Sequence, residues 1–206
     1  MSLKISKKKF IYLISPNIIN SNFYRNLKQV LSTKRVSFFQ MRLKKYSLKQ
    51  KILIGKKIKL ICKKNNVKFL VNDDPKLTKK LNADGCHLGQ KDIDIVEAKK
   101  IIGDKIVGIT CHNSFKLAKI AIRNKASYLA FGAFFTSKTK KTKYKASTKI
   151  LSKVKKLTNA PLVAIGGINN KNYKKLLLNN ANFLAISGYV WNNKKYKPLE
   201  AIEKLK

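Results

Sequence analysis

The amino-acid sequence predicts an α/β protein of the (β/α)₈ class, a closed parallel barrel in a single domain. Three observations support this prediction. Eight short apolar runs recur along the chain, segments with helical spacing separate them, and 44% of the 206 residues are hydrophobic. A chain of this length suits one domain over residues 1–206 with a substantial core, and it lies at the short end for the (β/α)₈, or TIM-barrel, fold.

The eight apolar runs are the predicted strands. They are continuous rather than strictly alternating, as expected when helices cover both faces of a parallel sheet. Between them, apolar residues such as Leu48, Ile52 and Ile58 recur at helical spacing. The predicted strands are residues 10–15, 36–41, 67–71, 85–88, 105–110, 128–135, 161–165 and 183–187.

The strand count separates a barrel from an open sheet. Doubly wound sheets usually have about five or six strands, so eight favour closure. No Gly-x-Gly-x-x-Gly follows the first predicted strand, and no Gly-Lys-Ser/Thr phosphate loop occurs. A nucleotide-binding doubly wound fold is therefore the second choice.

The start of the chain and its cysteines bear on location. Lysines before a short apolar stretch resemble a signal peptide, but the stretch stops at Pro16 without a small-residue cleavage site, so a first buried strand is expected. The longest apolar run, residues 128–135, is too short to span a bilayer, and no membrane partner is expected.

Cys62, Cys86 and Cys111 lack paired or zinc-binding spacing, which predicts a reducing, cytoplasmic location.

The chain is strongly basic, with 47 Lys and Arg against 9 Asp and Glu and a formal charge of +38. Such a protein attracts polyanions, and a nucleic-acid-binding protein is the alternative from a different functional class. The lysines, however, are scattered through every predicted helix. This distribution indicates compositional drift, so no specific nucleic-acid partner is expected.

The few acidic residues are clustered: seven of the nine lie within residues 73–104. Helix N-termini explain some of them, whereas Asp73 and Asp92 come just beyond the third and fourth predicted strands. In a (β/α)₈ barrel, reactive groups lie at the carboxyl ends of the strands. Two carboxylates on adjacent strand ends can share Mg²⁺, so Asp73 and Asp92 are the predicted metal ligands. Without the barrel, the same residues read as an ordinary turn.

Gln40, Arg42 and Lys44 follow one another at a spacing of two around the end of the second strand. In an extended segment this spacing puts all three side chains on one side. A guanidinium and an ammonium together form a clamp for a diphosphate. An ordinary basic strand end remains the alternative in so lysine-rich a chain.

Other strand ends carry further polar residues. Thr110 ends the fifth strand, where its hydroxyl can bind a phosphate or a ring nitrogen, and His112 is either a base or a neutral hydrogen-bonding residue. His87 lies within a strand and is interpreted as structural. The stretch 136–145 is either a mobile lid or a solvated loop. The phosphate-binding candidates after strands six to eight are Ser137, Thr139, Lys140, Gly166, Gly167, Ile186, Ser187 and Gly188.

The ordered motifs resemble those of the thiamine phosphate synthase family. They are Gln-Met-Arg-Leu-Lys at 40–44, Val-Asn-Asp-Asp-Pro at 71–75, Gly-Cys-His-Leu-Gly-Gln-Lys-Asp at 85–92, Ser-Lys-Thr-Lys at 137–140 and Ala-Ile-Gly-Gly-Ile at 164–168. The match runs from strand two to strand eight. It implies a Mg²⁺-dependent transferase of thiamine biosynthesis that joins hydroxymethylpyrimidine diphosphate to thiazole phosphate and releases diphosphate.

The resemblance also implies a role for each matching residue. Asp73 and Asp92 would bind Mg²⁺, and Arg42, Lys44 and Lys140 would be the catalytic cations on the leaving diphosphate. The pyrimidine diphosphate would be held by Gln40, Arg42, Lys44, Asn72, Thr110 and Lys140, and the thiazole phosphate by Ser137, Thr139, Gly167, Ile186 and Ser187.

The chain departs little from the family pattern. Thr136 and Ser137 replace a common Pro-Thr pair, and Thr110 replaces a serine. The family implies a dissociative path that needs no protein nucleophile. A related thiazole tautomerase branch shares the barrel but tends to lose the lysine after the arginine and the metal-binding acids, all of which are present here. The oligomeric state stays open.

Overall fold

The computed structural model describes residues 9–136 and 144–205. Eight parallel strands form a closed barrel in sequential order from β1 to β8, and β8 pairs with β1. The strands are β1 Ile11–Ile14, β2 Val36–Met41, β3 Lys68–Asn72, β4 Gly85–Leu88, β5 Ile106–His112, β6 Tyr128–Gly132, β7 Leu162–Ile165 and β8 Phe183–Ile186. The predicted (β/α)₈ barrel is confirmed.

Helices follow every strand, as the alternating pattern predicts. They are α1 Phe23–Ser32, α2 Leu48–Lys64, α3 Pro75–Leu81, α4 Ile95–Ile102, α5 Phe115–Arg123, α6 Thr148–Lys155, α7 Tyr173–Leu178, α8 Gly188–Trp191 and α9 Pro198–Glu203. Within the described ranges, none of these helices has the length and hydrophobicity needed to cross a lipid bilayer.

The core has two layers because each strand has one side chain facing the barrel axis and the next facing the helices. The outer layer, between the strands and the helices, is apolar and includes Leu13, Phe39 and Ile186. The inner layer fills the barrel and contains two tyrosines, Tyr12 and Tyr128, each 1% exposed. The inner layer therefore brings hydroxyl groups into the centre of the barrel.

Two strands end two or more residues away from their predicted bounds, whereas the others agree to within one residue at each end. β5 continues to His112 rather than ending at Thr110, with a register shift between these two residues that places His112 at a positive φ of 52°. β6 ends at Gly132 instead of residue 135. The amides of Phe134 and Phe135 donate to the carbonyls of Ile165 and Gly166, so the chain here crosses the end of β7.

Three of the clustered acids have local structural roles. Asp74 and Asp94 are the N-caps of α3 and α4, and their side chains accept hydrogen bonds from the amides of Leu77 and Glu97. Asp84 accepts from the amide of Phe69 at 2.9 Å and thereby ties the start of β4 to β3. Asp73 and Asp92 are not N-caps of these helices and lie just beyond β3 and β4.

We expect Asp94→Ala to lower the free energy of unfolding by about 1 kcal/mol, because the amide of Glu97 loses its capping acceptor. Thermal denaturation measures this effect. Any catalytic activity should stay at the wild-type level, since Asp94 caps a helix and is not among the predicted site residues. A loss of activity without a loss of stability would contradict the capping role.

Candidate active site

Asp73 and Asp92 face each other at the carboxyl ends of β3 and β4. Asp73 directly follows β3 and has a positive φ of 64°, and its amide donates to the carbonyl of His87 at 2.8 Å. The carboxyl group of Asp92 lies near enough to that of Asp73 for the charge of Asp73 to raise its pKa. The structure therefore brings together the two residues predicted as metal ligands.

The electrostatics of this pair are those of two carboxylates in one small site. Burial raises the pKa of Asp92, and the neighbouring charge of Asp73 raises it further. The amide of Gly89 donates to Asp92 Oδ2 at 2.6 Å and opposes this shift. A nearby cation would relieve the repulsion, because it favours ionisation of both groups.

Lys44 supplies one such cation. Its Nζ lies 2.9 Å from Asp73 Oδ2, and its side chain is 59% exposed. Arg42 is half-buried, and its amide donates to Ser15 Oγ at 2.9 Å. Lys44 thus contacts the acidic pair, whereas the guanidinium of Arg42 donates to Asn17 Oδ1 at 3.4 Å, at the same end of the barrel.

Gln40 points into the barrel instead of toward solvent. It is 2% exposed, and its Nε2 donates to the hydroxyl of Tyr12 at 2.9 Å. The hydroxyls of Tyr12 and Tyr128 are 2.7 Å apart. Burial raises the pKa of both tyrosines, so both carry their protons at neutral pH.

His87 continues this set of hydrogen bonds to Thr110. Its Nδ1 lies 2.9 Å from the hydroxyl of Tyr128, and its Nε2 lies 2.9 Å from Thr110 Oγ1. Burial lowers the pKa of His87 to about 4, so the imidazole is neutral at pH 7. The side chain of Gln90 donates to the carbonyl of Thr110.

The predicted phosphate cup follows β7 and β8. Gly167 has a φ of 62°, and a Cβ there would lie 2.3 Å from the carbonyl oxygen of Thr136. Ser187 precedes α8, and its hydroxyl donates to the carbonyl of Ser15 at 3.1 Å. The side chain of Ile186 is 2% exposed in the outer core, which leaves only its backbone available to a ligand.

Three predicted residues, Ser137, Thr139 and Lys140, lie outside the described residues, as does most of the predicted lid at 136–145. Described residues on either side of the undescribed part make contacts with each other and with β5. The amide of Ala133 donates to the carbonyl of Tyr144, whose ring stacks on His112 with centroids 3.9 Å apart.

The inner tyrosines and Ser15 are absent from the site predicted from the sequence. A signal for the tyrosines existed, because both are polar residues inside otherwise apolar strands. Ser15 is 2% exposed and contacts the segments that follow β2 and β8 through Arg42 and Ser187. The sequence signal for Ser15 was its position directly after β1, because reactive groups of this fold lie at the carboxyl ends of the strands.

Metal-binding capacity at this edge rests on the aspartate pair. Within residues 9–136 and 144–205, no group of three or more His, Cys, Asp or Glu side chains is arranged to hold a metal ion. Two carboxylates are compatible with Mg²⁺, because this ion usually keeps several waters and takes further oxygens from substrate phosphates.

Comparison with known proteins gives a consistent result. The sequence model of the family described as thiamine monophosphate synthase matches residues 11–190. A thiamine-phosphate synthase from Pelagibacter ubique (strain HTCC1062) is 67% identical over 200 residues, which cover 97% of each chain. A thiamine-phosphate synthase from Rhodospirillum centenum (strain ATCC 51521 / SW) is 37% identical over 185 residues, 89% of each chain.

Solved structures agree with the fold. Thiamine phosphate pyrophosphorylase from Pyrococcus furiosus superposes with a TM-score of 0.85 at 26% identity, over 96% of this chain and 94% of that one. 3-Hexulose-6-phosphate synthase, at 14% identity and a TM-score of 0.63 over 95% and 98% of the two chains, shares the fold alone. The prediction of an enzyme, a transferase of thiamine biosynthesis, is confirmed. The chain therefore belongs to the thiamine monophosphate synthase family.

Proposed function

We propose that this protein condenses hydroxymethylpyrimidine diphosphate with thiazole phosphate, in a Mg²⁺-dependent reaction that yields thiamine phosphate and diphosphate. The observation that carries the proposal is the cluster of Asp73, Asp92 and Lys44, with Arg42 at the same end of the barrel. It combines two carboxylates for a cation with two basic groups for the phosphates that the cation would bind.

The acidic pair fits a divalent cation for a physical reason. Burial and the neighbouring charge of Asp73 raise the pKa of Asp92, whereas Lys44, in contact with Asp73, lowers it. A divalent cation between the two carboxylates would relieve the remaining repulsion. When bound there, Mg²⁺ would neutralise charge on the departing diphosphate.

The chain's own residues would bind and orient the first substrate. Arg42 and Lys44 would hold the diphosphate oxygens and stabilise the charge that builds on them as the carbon–oxygen bond breaks. Lys140 is proposed to add a third cation. Gln40 and Thr110, at the inner end of the site, would bind the pyrimidine ring together with Asn72, which ends β3.

The second substrate would be held by the opposite side of the barrel mouth. Backbone amides near Gly167 and Ser187 suit a phosphate, and the backbone of Ile186 lies directly before Ser187 at the end of β8. Ser137 and Thr139 are proposed to complete this cup. Holding both substrates in one site would replace a bimolecular encounter by a reaction within a complex.

No protein nucleophile is needed for this transfer, and the thiols are poorly suited to provide one. Burial raises the pKa of Cys86 and of Cys111 to about 12, so both are protonated at neutral pH. Cys62, Cys86 and Cys111 are free and buried. Free thiols are typical of a reducing compartment and support the proposed cytoplasmic location.

Two alternatives make different predictions. A thiazole tautomerase has no use for the Lys44–Asp73 pair and the facing Asp92, and the synthase name of the relatives also favours synthesis. A nucleic-acid-binding protein would bind polyanions with a steep salt dependence that survives the loss of Asp73 and Asp92. Weak nonspecific polyanion binding is expected from the +38 charge in either case.

One assay tests the proposal: purified protein with both substrates and Mg²⁺, followed by detection of thiamine phosphate and diphosphate. We expect product with Mg²⁺ and a loss of product when a chelator removes the metal. Adding Mg²⁺ back should restore the rate. Folded protein that makes no thiamine phosphate under these conditions would refute the proposed reaction.

A further inference from the structure

Four hydrogen bonds cross the inside of the barrel from β2 to β5. They join Gln40 to Tyr12 at 2.9 Å, Tyr12 to Tyr128 at 2.7 Å, Tyr128 to His87 at 2.9 Å and His87 to Thr110 at 2.9 Å. We call these five residues the inner chain. Its two ends are residues proposed to bind the pyrimidine, whereas its three middle members have no function in the proposed reaction.

The donor-to-acceptor direction of each hydrogen bond in the inner chain follows from the number of protons that its members can donate. A tyrosine hydroxyl has one proton to donate. The amide nitrogen of Gln40 donates to Tyr12, so Tyr12 accepts there and its own proton goes to Tyr128, its other hydrogen-bond partner in the described part of the chain. The proton of Tyr128 then goes to Nδ1 of His87.

His87 passes this direction on to Thr110. A neutral imidazole that accepts at Nδ1 carries its proton on Nε2, and that proton is donated to Thr110 Oγ1. The hydroxyl proton of Thr110 is thereby left for a ligand. With the Gln40 amide reversed, every bond would reverse, and Thr110 would donate to His87 instead.

The inner chain therefore couples the orientation of the Gln40 amide to that of the Thr110 hydroxyl. Tyr12, Tyr128 and Gln40 are each at most 2% exposed, and all five members lie on barrel strands. In so buried a chain, reversing one bond requires reversing the others, because an unmatched donor or acceptor away from water is costly.

We propose that Tyr12, Tyr128 and His87 are positioning residues that fix Thr110 as a hydrogen-bond donor to an acceptor atom, such as a ring nitrogen, of the bound substrate. The same chain orients the amide of Gln40 to match the donors and acceptors of that ring. The identity of the ring as a pyrimidine rests on the proposed function. A site built in this way discriminates against rings with the reverse pattern, because they would leave buried groups unpaired.

The tautomer of His87 tests the direction without any substrate. Protein labelled with ¹⁵N-histidine is observed by NMR at neutral pH, and a His112→Asn variant assigns the two histidines. We expect the His87 ring to carry its proton on Nε2. A proton on Nδ1 would overturn the proposal, because Thr110 would then donate into the chain.

A double-mutant cycle tests the coupling. Tyr128→Phe and Thr110→Val are each expected to raise the KM for the pyrimidine diphosphate about tenfold, with kcat less affected and the KM for thiazole phosphate unchanged. Together they should raise it little beyond either alone, since cutting the chain already removes the donor that Thr110→Val deletes. Two independent effects, about a hundredfold in combination, would overturn the coupling.

Matched variants separate positioning from stability. Tyr173→Phe removes another buried tyrosine hydroxyl, on α7, and should leave both KM values unchanged. If Tyr128→Phe does not fold, Tyr12→Phe interrupts the same chain and replaces it in the cycle. Absence of thiamine phosphate with the wild-type protein would refute the proposed function, whereas an active wild-type enzyme with independent effects would refute the positioning role alone.

Discussion

Asp92→Asn is expected to lower the Mg²⁺-dependent kcat/KM for the pyrimidine diphosphate on the order of 100-fold, and Asp73→Asn should have a similar effect. Each change removes one of the two carboxylates that face each other at the ends of β3 and β4. The loss should be smaller at high Mg²⁺ if the remaining carboxylate still binds the ion weakly. Steady-state kinetics over a range of Mg²⁺ concentrations measures this effect.

Both variants should remain folded. Asn has an oxygen that can accept the hydrogen bond from the amide of Gly89, and Asn tolerates the left-handed conformation that Asp73 adopts at φ 64°. The ion pair lost by Asp73→Asn involves a mostly exposed Lys44 and contributes little. Asp104→Asn, on an exposed acid outside the site, is the matched control and should leave kcat/KM unchanged.

The pH dependence of stability provides a second readout for Asp92. Its pKa is raised in the folded protein, so the folded state binds the proton more tightly than the unfolded state does. The charged carboxylate therefore destabilises the fold above the raised pKa, and this penalty disappears as the pH falls through it. Asp92→Asn should melt at or above the wild-type temperature at pH 7, with the difference vanishing in acid.

The outcome that contradicts the metal assignment is clear. Full Mg²⁺-dependent activity in both variants would show that the pair does not hold the ion. If polyanion binding persisted and no synthesis occurred even in the wild-type protein, the nucleic-acid alternative would be favoured instead.

Gly108→Ala is expected to destabilise the barrel by about 3 kcal/mol, which corresponds to a fall in Tm of about 10 °C. Gly108 lies on β5, and a Cβ there would be 1.9 Å from Cζ of Tyr128. The ring of Tyr128 is 1% exposed inside the barrel, where it packs against Tyr12 and Phe38, so it cannot move aside without displacing other rings. Thermal denaturation measures the effect.

Gly55→Ala is the matched control. A Cβ at Gly55 meets the end of the Leu81 side chain at 2.5 Å, and that flexible side chain can rotate away. Alanine is also the better residue within α2, so the change in stability should stay within about 1 kcal/mol. Equal melting temperatures for Gly108→Ala and the wild type would show that the inner layer is not closely packed around Tyr128.

Much of the fold could be predicted because periodicity is a local property. Continuous apolar runs and helical spacing identified eight strand–helix units, and the ends of β3 and β4 placed Asp73 and Asp92 together. Strand bounds were less predictable. β6 stops at Gly132, since the next amide, that of Ala133, donates to the carbonyl of Tyr144. The amide of Phe134 then donates to Ile165, the residue paired with Gly132. These contacts join segments that are far apart in the chain.

The division of the acidic cluster also depended on tertiary structure. In the sequence, the seven acidic residues within 73–104 form one cluster whose members are not distinguished from one another. In the fold, Asp74 and Asp94 cap helices and Asp84 joins two strands. Glu97 pairs with Lys100 on α4, and Asp104 is exposed. The facing pair lies apart from these, at the barrel mouth. Only distances between side chains could separate these roles.

The sequence by itself determined the barrel, the family motifs and the residues at the strand ends, because these follow from spacing along the chain. Only the tertiary structure decided that His87, assigned from the sequence to a structural role, joins Tyr128 and Thr110 in the inner chain. The physical reason is barrel closure. Closure brings the inward-facing positions of β1, β2, β4, β5 and β6 to one axis. Hydrogen bonds among these side chains depend on their orientation and on which atom carries each proton. No pattern of residue types along the chain encodes either property.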